Sequence, residues 1–151
     1  MSTAPLVSVV MSVYNSEKTL ARAMDSMLSQ TYQNIEIIIV DDASEDSSLK
    51  ILKEYAKNNN TIKLIHNNKN MGLAWSLNNA ILNSKGLYIA RMDTDDKSYK
   101  NRIERQVNFL ENNLKVDVLG TSSKYVESDY SLIKDVIMPR YHKDCVAIFS
   151  K

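Results

Sequence analysis

Ile35-Glu36-Ile37-Ile38-Ile39-Val40-Asp41-Asp42 is an apolar, β-branched run that ends in two carboxylates. A strand with one wet face alternates polar and apolar residues, whereas a run apolar at both parities belongs to a strand covered on both sides, the parallel-sheet type. Asp41-Asp42-Ala43-Ser44 then supplies turn and cap chemistry before a helical pattern carrying Leu49, Leu52 and Ala56. The same plan recurs upstream. Val7 to Val13 reads as a strand, Asn15-Ser16 as capping residues, and Leu20, Met24, Met27 and Leu28 as one helical face. Downstream, the polar break Asn58-Asn59-Asn60 precedes a short strand from Ile62 to Ile65, a loop from Asn67 to Gly72, and a helix with Leu73, Leu77 and Ile81 on its apolar face. Gly86 closes that region and Leu87 to Met92 predicts a further strand. Ile103, Val107, Leu110 and Leu114, spaced 4-3-4, predict an amphipathic helix, and Val116 to Leu119 another strand. Beyond Gly120 the rhythm changes. Ser123 to Glu127 and Leu132 to Ile137 around Ser128-Asp129 predict a hairpin, and His142 to Lys151 the start of a helix. The alternation predicts one α/β domain with a mostly parallel sheet and right-handed crossovers.

Composition narrows the function. At 151 residues and 44% apolar content the chain builds one buried core rather than two domains. A formal net charge of +1, with both signs mixed along the chain, provides no field for nucleic acid, so an anionic ligand has to be held locally. The single cysteine, Cys145, excludes an internal disulfide framework and a cysteine-based zinc site, and reads as a packed side chain in a reducing compartment. His66 and His142 have no partner at metal-ligand spacing and read as ordinary histidines. The run Leu6 to Val13 lacks the plan of a signal peptide, and nothing approaches about 18 uncharged apolar residues, so the expected chain does not span a membrane, although it can dock on one.

In a parallel sheet, ligands bind at the carboxyl ends of the strands, near the point where strand order reverses. Three polar clusters fall there: Ser12-Val13-Tyr14-Asn15, Asp41-Asp42 and Asp93-Thr94-Asp95-Asp96. The last places three carboxylates within four positions. Such a group calls for a cation, either Mg²⁺ or Mn²⁺ bridging the phosphates of a nucleoside diphosphate, or a neighbouring arginine. Arg91, Arg102 and Arg105 are the candidates for the second arrangement, and Asp95 or Asp96 capping the next helix is a third. Asp41-Asp42 likewise admits an acceptor for a base imide or ribose hydroxyl, a metal site, or a cap shared with Ser44. Tyr14 either completes the core or stacks on a base. The loop Asn67 to Gly72 uses Asn and Gly for positive φ, or brings Lys69 and a helix N-terminus to a phosphate. Trp75, off the apolar stripe, reads as partly buried or as a sugar-stacking ring.

In this order the motifs resemble the nucleotide-sugar-binding half of family 2 glycosyltransferases, inverting enzymes with a GT-A fold. The resemblance covers nearly the whole chain. It is carried by Val7 to Asn15, Ser29-Gln30-Thr31-Tyr32, Glu36 to Asp46, Asn70-Met71-Gly72-Leu73-Ala74 with Leu77-Asn78, and Tyr88 to Asp96. It implies a three-layer α/β/α sandwich, Rossmann-like, with a mostly parallel central sheet and a C-terminal hairpin, formed by residues 1–151 as a single donor-binding domain that is cut short at its C-terminus. By resemblance Ser12 and Tyr14 flank the nucleotide base, Asp42 contacts it, and Asp93-Thr94-Asp95 is the DxD element. Asp93 serves the nucleotide, and Asp95, Asp93 and Asp96 hold Mn²⁺ or Mg²⁺.

Two departures stand out. Ser12-Val13 replaces the usual Pro before the Tyr-Asn pair, and Ala43 stands where Gly is common. Glu127, Asp129 and Asp135 are available carboxylates, but a hairpin is a poor warrant for a catalytic base, which is expected outside this chain. The expected activity is transfer of a sugar from a nucleotide-diphosphate sugar, a UDP-sugar by preference, to a glycan or lipid-linked acceptor in cell-surface polysaccharide synthesis. The expected location is the cytoplasm or the inner face of the membrane, with peripheral association and a homo-oligomer compatible with the sequence. A nucleotide-sugar-binding module without turnover is the alternative. A phospho-acceptor signalling domain lacks the separate acceptor Asp and Lys it needs.

Overall fold

The strand nearest the N-terminus is one of the two inner strands of the sheet. In the computed structural model, which describes residues 4–127 and 131–137, the chain falls into two units divided after Glu111. The first runs β1 (Val7–Val13), α1 (Leu20–Leu28), β2 (Ile35–Asp41), α2 (Ser48–Asn58), β3 (Ile62–His66), α3 (Leu73–Leu82), β4 (Tyr88–Arg91) and α4 (Arg102–Glu111). The strands form one parallel sheet in the order β3-β2-β1-β4. Strand order therefore reverses beside β1, and the crevice for a ligand lies there.

Both faces of β2 are covered. Ile37 and Ile39 join Val9, Met11 and Val13 of β1 under Leu20, Met24 and Met27 of α1, Leu52 of α2, and Ile103 and Val107 of α4. On the opposite face Ile38, Val40 and Val10 pack against Ala80 of α3. Ile37, Ile38, Ile39 and Val40 are all fully buried, which is why the run is apolar at both parities. Glu36, the charge near its start, has a local task. Its Oε1 accepts from the Ser8 hydroxyl at 2.6 Å and from the Lys85 N–H at 2.6 Å, tying β1 and β2 to the chain that leads into β4.

Four local readings change in the structure. Asn15 and Ser16 do not cap α1; its N-cap is Thr19, without a side-chain cap bond, because Asn15 turns the chain at φ 47° and the helix starts later. Of the stripe Leu73, Leu77, Ile81, Leu77 packs partly buried against the core, but the other two do not form the buried face of α3. Ser76 and Ala80 are buried instead, while Leu73 and Ile81 stay 53% and 44% exposed. Small residues let α3 sit close to the sheet, and the Ser76 hydroxyl, accepting from Asn67 Nδ2 at 3.2 Å, sets the helix rotation. Leu114 lies beyond α4 and is exposed. Val116 to Leu119 is irregular, because a strand exists by its ladder and none of the described residues pairs with this segment.

The second unit contains the hairpin β5 (Ser123–Val126) and β6 (Leu132–Val136), antiparallel, with a register shift between Tyr125 and Val126. The turn Ser128-Asp129, the helix expected from His142, and Cys145 lie outside the described residues. Among the described residues no helix is long and apolar enough to cross a membrane.

Candidate functional site

Parallel pairing puts the carboxyl ends of β1, β2 and β4 on one rim, with Val13 level with Asp41 across β1 and β2. The loops that leave this rim are tied to one another. From the loop after β1, the Asn15 N–H donates to Ser44 Oγ (3.1 Å), Ser16 N–H to Ser48 Oγ (2.8 Å) and Glu17 N–H to Asp46 Oδ2 (2.9 Å). In return, Glu45 N–H donates to Asn15 Oδ1 (2.8 Å) and Ser47 N–H to Glu17 Oε2 (3.0 Å). The loop after β4 joins through the hydroxyls of Ser16 and Thr94, 3.0 Å apart, and through Arg22 Nη2, which donates to the Asp95 carbonyl at 2.6 Å. These ties frame a cleft of about 600 Å³ lined by Asn15, Ser16, Glu17, Lys18, Thr19, Asp46, Thr94 and Asp95.

Asp42 is buried and already employed. Its Oδ1 accepts from Asn67 Nδ2 (2.7 Å) and the Met71 N–H (2.9 Å), and its Oδ2 from the Gly72 N–H (2.8 Å). Burial pushes the carboxyl up, but the donors from Met71, Asn67, Gly72 and Ser76 outweigh it and hold it below its ordinary value of 3.8. The carboxylate thus anchors the loop that leads into α3 rather than capping α2, and Gly72, at φ 89° and ψ 158°, takes a backbone conformation that suits glycine. The four donors match the four acceptor positions of the carboxylate. Its neighbour Asp41, fully buried, accepts from His66 Nδ1 at 2.8 Å and from the Ser44 N–H at 3.3 Å. His66, read from sequence as ordinary, is therefore part of the rim. Tyr14 is 45% exposed and so does not complete the core.

The acidic turn is drawn together by an Asp96 N–H bond to the Asp93 carbonyl at 3.4 Å. Asp93 is gripped by Arg91, with Nε and Nη2 on Oδ1 at 3.0 and 2.8 Å and Nη2 on Oδ2 at 2.8 Å. Burial, then the charges of Asp95 and Asp93, push Asp96 above the ordinary value, against the pull of Arg102 and Arg91. Arg102 itself donates to the Arg91 carbonyl at 3.3 Å. Neither Asp95 nor Asp96 caps α4, which begins only at Arg102. Arg91 realises the arginine arrangement at Asp93; Arg105 forms no ion pair with the cluster among the described residues.

Among the described residues no three acidic, His or Cys side chains converge on a preformed metal cage. Mg²⁺ and Mn²⁺ delivered with a diphosphate need no such cage, since one or two carboxylates, phosphate oxygens and water complete the shell. Asp95 is exposed on the cleft and offers hard oxygen donors of the right kind, so the residues present fit such an ion.

A family profile described as Glycosyl transferase family 2 matches residues 8–145. The chain belongs to glycosyl transferase family 2. EpsE of Bacillus subtilis (strain 168) is 49% identical over 122 residues, covering 80% of this chain and 44% of that protein. The Escherichia coli UDP-Glc:alpha-D-GlcNAc-diphosphoundecaprenol beta-1,3-glucosyltransferase WfaP is 39% identical over 125 residues, covering 83% and 48%. The S. aureus TarS 1-349 crystal structure in complex with UDP-GlcNAc superposes with a TM-score of 0.68 at 26% identity, over 72% of this chain and 32% of that one. The fold is therefore the GT-A fold of family 2 glycosyltransferases, and the chain spans less than half the length of these relatives.

The expected site residues divide by position. Tyr14, Asp42 and Asp93 sit at the rim where β1, β2 and β4 end, with Ser12 one step inside β1. Of the expected residues, Asp95 alone lines the cleft. Sequence reasoning missed Asn67, Arg22 and the Ser16–Thr94 bridge. No spacing rule pairs two hydroxyls 78 positions apart, whereas Asn67, at the head of a loop already singled out, was a visible candidate.

Proposed function

We propose that this chain is the donor-binding part of an inverting, metal-assisted glycosyltransferase that uses a nucleotide-diphosphate sugar. The carrying observation is that the loops after β1, β2 and β4 are tied into one rim around a cleft into which Asp95 opens. The exposed ring of Tyr14 offers a face to the base. Ser12 flanks the base, and Asp42 contacts it. Asp95, with Asp93 and Asp96, holds Mn²⁺ or Mg²⁺, which when bound neutralises charge on the diphosphate. In the reaction an acceptor hydroxyl attacks the anomeric carbon from the face opposite the diphosphate. The carbon–oxygen bond to the diphosphate breaks as the new one forms, and the hydroxyl proton passes to a carboxylate base outside the rim described here.

A uridine donor is supported by the UDP-Glc in the name of WfaP and by the UDP-GlcNAc complex of TarS. WfaP acts, by its name, on a lipid-diphosphate-linked sugar, which supports a lipid-linked acceptor and a role in surface polysaccharide synthesis. The test is release of UDP from UDP-sugars by a protein that carries this chain together with the further length its relatives have. Asp95→Asn is expected to lower turnover by on the order of 100-fold; turnover at the unsubstituted rate would remove the metal role from Asp95.

A further inference from the structure

Three carboxylates, Asp93, Asp95 and Asp96, share one short turn. Onto this turn Arg91, the last residue of β4, lays a guanidinium that contacts both oxygens of Asp93 in three hydrogen bonds. The grip is charge-assisted and planar, so it covers the edge of the carboxylate from which a divalent ion would coordinate. Both side chains are about half exposed, 56% for Arg91 and 40% for Asp93, so they part without unburying anything. The other two arginines here hold backbone, Arg22 the carbonyl of Asp95 and Arg102 that of Arg91, which keeps the turn in place when the Arg91 side chain leaves.

From this geometry we infer that Arg91 is a resident counter-ion. It occupies Asp93 before the metal and nucleotide arrive, and it is exchanged for the metal when they do. The inference rests on the donor-site reading above and adds a regulatory step to it. A metal ion alone has to displace the guanidinium into water. A metal that comes with a nucleoside diphosphate brings phosphate oxygens that receive it. Metal and nucleotide therefore bind cooperatively, and by linkage each tightens the other by the same factor.

The experiment is a Mn²⁺ titration followed by the electron paramagnetic resonance signal of the free ion, with and without UDP, on the unsubstituted chain, Arg91→Gln and Arg91→Lys, each checked for folding by circular dichroism. Arg91→Gln is expected to bind Mn²⁺ alone about two- to fivefold more tightly, the range an exposed ion pair commands. It is also expected to lose part of the tightening that UDP confers, with Arg91→Lys between the two. If the unsubstituted chain binds Mn²⁺ with UDP and Arg91→Gln binds Mn²⁺ alone no better, the counter-ion role is wrong and the donor site stands. If the folded, unsubstituted chain takes up neither Mn²⁺ nor UDP, both readings fall.

Discussion

Ala43 holds φ at 61°, a region where an L side chain crowds its own backbone. The position follows the buried pair Asp41-Asp42 and turns the chain so that the Ser44 N–H reaches Asp41 Oδ2. Glycine carries no such penalty, which is the physical reason for expecting it here. Ala43→Gly is accordingly expected to stabilise the protein by about 1 kcal/mol, against the usual cost of introducing glycine. Thermal unfolding would show a midpoint raised by a few degrees; a lower midpoint would mean the strain is relieved elsewhere. Asp42 yields the opposite sign. Replacing it by Asn turns an amide N–H₂ toward either the Gly72 N–H or the Met71 and Asn67 donors, at a cost of roughly 2–4 kcal/mol. Because its folded pKa lies below the unfolded value of 3.8, the contribution of the carboxylate is complete above that value and is lost as pH falls through the folded pKa. Denaturant melts from pH 6 down to 2 should therefore steepen in the native chain and flatten in Asp42→Asn. Sequence could not separate the roles of Asp42, because cap, base acceptor and metal ligand call for the same carboxylate. Only the fold shows that it anchors the loop before α3, thirty residues away.

At the level of elements, helix and strand identity was legible wherever a segment is buried on its own account. β2 and α1 follow their hydrophobic periods because each buries a continuous face. α3 shows the limit: its apolar stripe is real, yet Ser76 and Ala80 face the sheet, since close approach and a hydroxyl anchor decide the rotation. Val116 to Leu119 shows another, because strand propensity without a ladder partner makes no strand. Gly86 was legible only as a helix stop. In the fold it approaches β1 so closely that a Cβ would lie 2.6 Å from the Ser8 backbone nitrogen and 2.8 Å from the Leu6 carbonyl oxygen. Gly86→Ala is thus expected to cost at least about 2–3 kcal/mol, since backbone has to move, and chemical denaturation would report it. The rim depends on elements too. Thr94→Val removes the hydroxyl bridge to Ser16 and is expected to lower stability by about 1 kcal/mol while loosening the tie between the loops after β1 and β4. Hydrogen exchange at the Asp95 and Asp96 amides should then quicken; unchanged exchange would show that Arg22 alone holds the turn.

On the scale of the whole molecule, the sheet order β3-β2-β1-β4 converts clusters far apart in sequence into neighbours. That much follows from alternation and from the rule of right-handed crossovers, so the convergence of Tyr14, Asp42 and Asp93 on one rim was legible before any coordinates. The fastening of the rim was not, because it rests on side chains whose partners depend on loop conformation. The chain spans less than half the length of the relatives EpsE and WfaP. The central claim is that the rim holds a nucleoside diphosphate with a divalent ion, and calorimetric titration of UDP into the folded chain, with and without Mn²⁺, tests it most directly. Saturable binding that tightens with Mn²⁺, and that loses this tightening in Asp95→Asn, is the predicted result. No heat of binding in either condition, on protein that circular dichroism shows to be folded, would contradict it.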